Sequence, residues 1–336
     1  MPKALLPKLF GAKPTYEDHR WYKRLWAGRT PQARHVRRFC ALTYDEFEQH
    51  LDVGFPTSFR RQTPARFSEL FYAAGFRQAG WKPIAPVRRF DLAFAMEGGR
   101  RLLVEVVTPQ PPPPATWTEE EVNGFTIRSA DGSSKEAALL RLTAGFAEKA
   151  RIIRQAIAEG HATSNDFKII AISGLRISQE TPIAVHASGM PPDFARAFLP
   201  IGHLFVPISL DQRSAEIQWG EFQHRFSDEI SKPEGKAVQR DAFVSGDFPH
   251  VDAIAYSEVH TDDLQNIRHQ IGVLHNPTSQ YPYERPALRM GTEYFGKLDG
   301  EQLHLERVRS PELAAVEDAH LASDGADFDE LFGRSE

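Results

Sequence analysis

Cysteine is almost absent from this chain: Cys40 stands alone among 336 residues. A single thiol excludes an internal disulfide framework and a cysteine zinc cluster. No run of about 18 apolar residues occurs, so no transmembrane helix is expected. The opening MPKALLPKLFGAKP holds no apolar stretch long enough for a secretory signal. These absences predict a protein of the reducing cytoplasm. Several catalytic signatures are missing too. There is no G-x-G-x-x-G or Walker phosphate loop and no G-x-S-x-G nucleophile elbow. The chain has 13 histidines, yet no His-x-x-x-His pair. His260, His269 and His275 fall in a polar stretch and read as surface residues. Cys40, between Phe39 and Ala41, reads as small core filler rather than a nucleophile. No repeat of about 20–50 residues is present.

What is present is an ordinary globular composition, 41% hydrophobic and 25% charged. At about 150 residues per domain, the length suits two domains or one large domain with extensions. The net charge of −5 conceals an asymmetry. Residues 1–62 carry 12 Lys and Arg against 6 Asp and Glu; residues 301–336 carry 3 against 10. The first segment reads as a basic, aromatic N-terminal extension of short helices. Its Arg20, Lys23, Arg24, Arg37 and Arg38 are candidate phosphate contacts, with Trp21 or Trp26 as candidate base-stacking rings. The alternative is that the aromatics are core and the cations ring them. Thr43-Tyr44-Asp45-Glu46 reads as a capping box for a helix through Leu51. The last segment reads as an acidic tail, in which Phe328, Leu331 and Phe332 form a candidate docking motif for a protein partner. Residues 63–300 read as one α/β domain with its core at 64–172.

That core is the most patterned part. Pro64 to Ala74 predicts a helix closed by Gly75, with Phe67, Leu70, Phe71 and Ala74 on one side. Strands are predicted at Trp81–Val87, Phe90–Met96 and Arg101–Val107, with Glu97-Gly98-Gly99 as a hairpin signal. The proline run Thr108–Pro114 ends the third. Residues 115–133 read as an excursion or loop. A long helix from Ser134 to Glu159, closed by Gly160, has the apolar stripe Leu139, Leu142, Phe146, Ile153 and Ile157. A strand at Phe167–Ile172 follows, which predicts a parallel pair in a mixed sheet. Beyond it, strand-like runs occur at Ile183–His186, His203–Ile208, Val251–Val259 and Ile271–His275, with a helix from Pro191 to Leu199.

Three carboxylates stand out by position. Glu69 lies in the first helix, Asp91 begins the second strand and Glu105 lies near the end of the third. Alternation puts Glu105 on one face with Leu103 and Val107, and Leu102, Val104 and Val106 on the other. An acid inside Leu-Leu-Val-Glu-Val-Val is costly to bury unless it is paired or metal-bound. An antiparallel hairpin would set Asp91 beside Glu105, and a hard cation such as Mg²⁺ is a natural counter-charge. Blander pairings are also open. Asp91 can pair with Arg88 or Arg89. Glu105 can pair with Arg101, Lys149 or Arg151, and Glu69 can be an exposed helix residue.

The order helix acid, hairpin acid, strand acid resembles the PD-(D/E)XK nuclease superfamily, with its restriction-endonuclease-like fold. The matching residues are Glu69 in FSELF, Asp91 in RRFDLAF and Glu105 in LLVEVVTP, over about 110 residues from Pro64 to Ile172. The resemblance implies an α/β core of helix, three strands, helix and strand in a mixed sheet, with extensions at both ends. It implies a metal-dependent nuclease acting on DNA, with Mg²⁺ or Mn²⁺ held by Asp91, Glu105 and the Val106 carbonyl, and supported by Glu69. One departure is Val107, which stands where the family's lysine is expected. In this superfamily that lysine can migrate to the following helix. Lys149 fits independently, since positions 142, 146, 149 and 153 share the apolar stripe. The alternative function is a catalytically degenerate fold of this kind, kept for binding nucleic acid or protein.

Overall fold

The structure is a computed structural model. It describes residues 8–111, 117–122, 125–130, 133–177, 192–205, 208–210, 217–219, 223–226, 229–230, 237–299 and 302–311. The run Ile183–His186 and the segment 312–336, with its candidate docking motif, lie outside them. The chain is α/β. Four helices come first: α1 (Arg20–Ala27), α2 (Pro31–Phe47), α3 (Phe55–Arg61) and α4 (Thr63–Gln78). An eight-stranded mixed sheet follows: β1 (Lys82–Pro83), β2 (Leu92–Ala95), β3 (Arg101–Val107), β4 (Phe167–Ser173), β5 (Ala253–Ser257), β6 (Gly272–His275), β7 (Thr292–Asp299) and β8 (Gln302–Arg309). The long helix α5 (Ser133–Ala158) connects β3 to β4. The strands lie across the sheet in chain order. β3–β4, β4–β5 and β6–β7 are parallel; the other neighbours are antiparallel. Among the described residues no helix is long and apolar enough to cross a membrane.

Alternation in the strands divides the core into two layers. Leu92, Phe94, Leu102, Val104 and Val106 face α4 and join Phe67, Leu70, Phe71 and Phe76. Leu103 and Ile170 face α5 and join Leu139, Leu142, Phe146 and Ile153. Burying each Phe in such a layer is worth about 1.5–3 kcal/mol relative to exposure. Phe90 departs from the simple alternation. It precedes β2 and packs with the α5 layer. The α4 layer extends into the N-terminal helices through Tyr22, Leu25, Val36, Cys40, Phe47, Phe55 and Phe59. Cys40 is a buried core residue there, its thiol pushed far up by burial.

Several local expectations change. The capping box at Thr43–Glu46 is not a helix start, because Thr43 is buried inside α2. That helix begins just after Gly28, where Thr30 Oγ1 accepts the Ala33 amide at 3.1 Å and Pro31 takes the first turn. Gly75 does not close α4. A Cβ there would sit 2.6 Å from Ile271 Cδ1 and 3.2 Å from Ile267 Cγ2, so the glycine admits a neighbour and the helix runs on to Gln78. The run Trp81–Val87 shrinks to Lys82–Pro83, since Pro83 and Pro86 lack amide donors for a ladder. Residues 115–133 include a ladder of Trp117–Val122 with Phe125–Ala130; the signal was Asn123-Gly124 between two β-prone runs. The run His203–Ile208 divides between strands Ile201–Phe205 and Ile208–Leu210, which join separate two-stranded ladders. The helix predicted from Pro191 to Leu199 is a short 3₁₀ turn, Asp193–Ala197.

Candidate active site

Asp91 and Glu105 are brought together by the β2–β3 hairpin. Leu92 lies opposite Val104, and the Asp91 amide donates to the Val104 carbonyl at 3.1 Å. One step back along this register sets Asp91 across from Glu105. Asp91 Oδ2 then accepts the Val106 amide at 2.7 Å. So the strand that carries one acid holds the other in place through its backbone. The Val106 side chain itself is packed in the α4 layer.

The lysine arrives from α5. Lys149 Nζ lies 2.7 Å from Glu105 Oε2 and 3.5 Å from Asp91 Oδ2. Its side chain is only 16% exposed and that of Glu105 4%. Of the pairings open to these acids, the others are not made. Arg101 is bidentate to Asp166 and Arg89 to Glu159. The helix and strand run in opposite senses here. Gly145, one turn before Lys149, lies under Val107, and a Cβ there would come within 3.3 Å of the valine. Val107 therefore fills the space against α5, while the ammonium enters from the helix one turn further on.

Glu69 sits on α4, 7% exposed rather than on the surface. Its partner is Arg66, whose Nη1 lies 2.8 Å from Oε2 and 3.1 Å from Oε1. Arg66 also lies 3.5 Å from Asp52. Sequence reading missed Arg66, though its i, i+3 spacing to Glu69 was a usable signal. It also missed a hydroxyl chain beside the site. Thr108 Oγ1 donates to Ser68 Oγ at 2.9 Å, and Ser68 Oγ lies 2.8 Å from Ser173 Oγ. This chain ties the ends of β3 and β4 to α4. No sequence spacing announces it.

The electrostatics are those of a cluster short of positive charge. Glu69, Asp91 and Glu105 face Arg66 and Lys149, three carboxylates against two cations. Burial and then repulsion from Asp91 push the carboxyls of Glu105 and Glu69 up to about 8, although Lys149 and Arg66 pull the other way. Burial opposes the charge on Lys149, but Asp91 and Glu105 more than offset it and raise its pKa. A proton on a glutamate is one way to balance such a cluster; a cation is another.

The donor set fits a hard divalent cation. Asp91 Oδ1 and Glu105 Oε1 accept no hydrogen bond among the described residues. Among those residues no group of three or more His, Cys, Asp or Glu side chains gathers to hold a metal. Two carboxylates with the remaining positions left to water, carbonyl or substrate oxygen is the arrangement Mg²⁺ usually takes.

One expectation about histidine is corrected. His275 is fully buried at the end of β6, with Nε2 2.9 Å from Glu293 Oε2. It belongs to a central strand, so the polar residues after it misled the reading. His269 is half-buried beside Ser310, and His260 is exposed. No family model, curated protein or solved structure matches this chain.

Proposed function

We propose that this chain is a metal-dependent nuclease hydrolysing phosphodiester bonds in DNA, on a restriction-endonuclease-like core formed by α4, β1–β3, α5 and β4. The observation that carries the reading is Lys149 at 2.7 Å from Glu105 and 3.5 Å from Asp91. The same sheet carries another buried pair, Lys168 with Asp252 at 3.0 Å; Lys149 differs in facing two acids at once, which is the charge arrangement of an active-site cluster rather than of a matched ion pair. Asp91, Glu105 and the Val106 carbonyl would hold Mg²⁺ or Mn²⁺. When bound there, such an ion supplies Lewis-acid stabilisation of a phosphodiester and lowers the pKa of water. Lys149 would hydrogen-bond a non-bridging phosphate oxygen and neutralise charge as it builds in the transition state, an effect typically worth a hundredfold or more. Glu69, held by Arg66, would support the metal site from the α4 side.

The test is cleavage of plasmid and single-stranded DNA with Mg²⁺ or Mn²⁺, comparing wild type with Asp91→Ala, Glu105→Ala and Lys149→Ala. Loss in all three folded variants is expected. Activity that survives both acid substitutions overturns the assignment. Val107 favours a second reading, a nuclease-like fold retained for binding. Wild-type protein that binds DNA but cuts none with either metal would select it.

A further inference from the structure

From His19 to Tyr44 the chain contains no Asp or Glu, although an average stretch of that length in this sequence would hold three or four. The same stretch contains Arg20, Lys23, Arg24, Arg29, Arg34, Arg37 and Arg38. It folds as the α1–α2 hairpin, turning at Gly28, whose φ of 56° is left-handed. Three of the cations brace that hairpin through backbone carbonyls. Arg34 Nη1 donates to the Gly28 carbonyl at 3.1 Å, Arg37 Nη1 to that of Trp26 at 2.9 Å, and Lys23 Nζ to that of Tyr16 at 2.9 Å. Among the described residues none of the seven forms an ion pair. Arg60, Arg61, Arg77, Arg89 and Arg101 each have a carboxylate partner. Arg88, Arg141 and Arg151 also have no carboxylate partner among the described residues, so what sets the hairpin apart is seven such cations together with no acid of its own. Lys23, Arg24 and Arg29 line a cavity of about 370 Å³ beside Thr30.

Seven like charges on one hairpin repel one another, and a polyanion relieves that repulsion while releasing its own counterions. The aromatic rings are not free to read bases. Trp21 packs edge-on against Phe67 at 5.3 Å, and Trp26 packs against the same core layer. Phe67 is two residues before Glu69 on α4, so the hairpin is seated on the helix that carries part of the candidate site. We propose that the α1–α2 hairpin is a platform for the phosphodiester backbone of nucleic acid, holding it by charge and without regard to sequence. The inference rests on the nuclease reading only for its purpose; the binding itself stands apart.

The experiment separates the two. Binding is measured by fluorescence anisotropy of duplex DNA and of RNA in EDTA, over a salt series, using full-length protein carrying Glu105→Gln so that nothing is cut. The exposed residues Arg24, Arg29 and Arg38 are replaced together by Gln. The slope of log affinity against log salt is expected to become shallower by about 0.9 for each phosphate no longer neutralised, and affinity at low salt to fall at least about tenfold. A control, Arg61→Gln with Arg77→Gln and Arg89→Gln, removes the same charge from paired sites and is expected to leave the slope unchanged. An unchanged slope in the first triple variant overturns the platform, as does an equal loss in the control. Anionic phosphatidylserine vesicles that bind as tightly through the same arginines overturn the nucleic-acid assignment. Wild-type protein that binds through these arginines but never cuts sinks the nuclease reading and leaves the platform standing.

Discussion

Two glutamates on one sheet are equally buried and differently treated. Glu105 in β3 and Glu293 in β7 are each 3% exposed. Glu293 accepts the amides of Leu288, Arg289 and Met290 at 3.0, 2.6 and 3.3 Å, and His275 Nε2 lies 2.9 Å away. Its carboxylate is saturated with donors, and it locks the loop before β7 onto the sheet. Glu105 has one donor, Lys149, and faces a second acid. The first is an acid used as a structural bolt. The second is held short of hydrogen bonds and positive charge, the condition under which a carboxylate binds something else.

The contrast can be broken in order of size. Glu293→Ala leaves three amides and a histidine without their acceptor. A loss of about 3–5 kcal/mol is expected in denaturant unfolding; a loss below about 1 kcal/mol would place Glu293 among ordinary surface acids. Glu105→Gln removes an acid that folding already disfavours ionising. Its stability is expected to stay within about 1 kcal/mol of wild type, while cleavage falls at least about a hundredfold. Equal destabilisation by the two substitutions would erase the distinction.

Acidity gives a second test, with opposite signs at the two sites. The carboxyls of Glu69 and Glu105 are raised from the ordinary value of 4.5 to about 8. Their contribution to stability is full below pH 4.5 and is lost as pH rises through about 8, by up to a few kcal/mol. Mn²⁺ should flatten that loss and bind more tightly as pH rises, because it replaces protons. A stability curve that stays flat from pH 4.5 to 8 without metal argues against a charge-starved cluster. His275 works the other way. Burial lowers its pKa below the ordinary 6.5, although Glu293 pulls it back. Its contribution is present above pH 6.5 and lost as the solution is acidified. His275→Gln should remove that acid-side loss, as seen in unfolding across a pH series, and leave the alkaline side unchanged.

The smallest effect tests how the lysine is delivered. Gly145→Ala presses a methyl against Val107 and Pro109 at 3.3 Å. The helix gains about 1 kcal/mol of propensity, so net stability is expected to move by less than about 1 kcal/mol. Cleavage is expected to fall severalfold as α5 lifts Lys149 from the acids. An unchanged rate would mean that the helix yields elsewhere.

Much of this was legible in the sequence where one physical demand dominates. The run Arg101–Val107 is β3 to the residue, because its near-continuous apolar run suits burial on both faces. The stripe on α5 told of Lys149, since a lysine among Leu142, Phe146 and Ile153 must face the sheet. What stayed hidden depends on partners distant in the chain. Gly75 looked like a stop because Ile267 and Ile271 cannot be seen from α4. Arg66 was overlooked because a salt bridge to Glu69 looks ordinary until the glutamate is known to be buried. Glu293 drew no notice, because its three donors are backbone amides that carry no sequence signature. The unmatched cations of α1–α2 were visible as composition, but only the ion pairs made elsewhere show that matching was possible.

The order of the strands has a consequence for synthesis. Because β1 to β8 lie side by side in the sequence in which they are made, no strand has to wedge between two that are already zipped. Each new strand emerging from the ribosome adds to an open margin. The parts of the candidate site are all translated once Ser173 has appeared, but α4, which carries Glu69, is completed only by Ile267 and Ile271 packed against Gly75, so a late-made part of the chain closes the layer that holds the first acid.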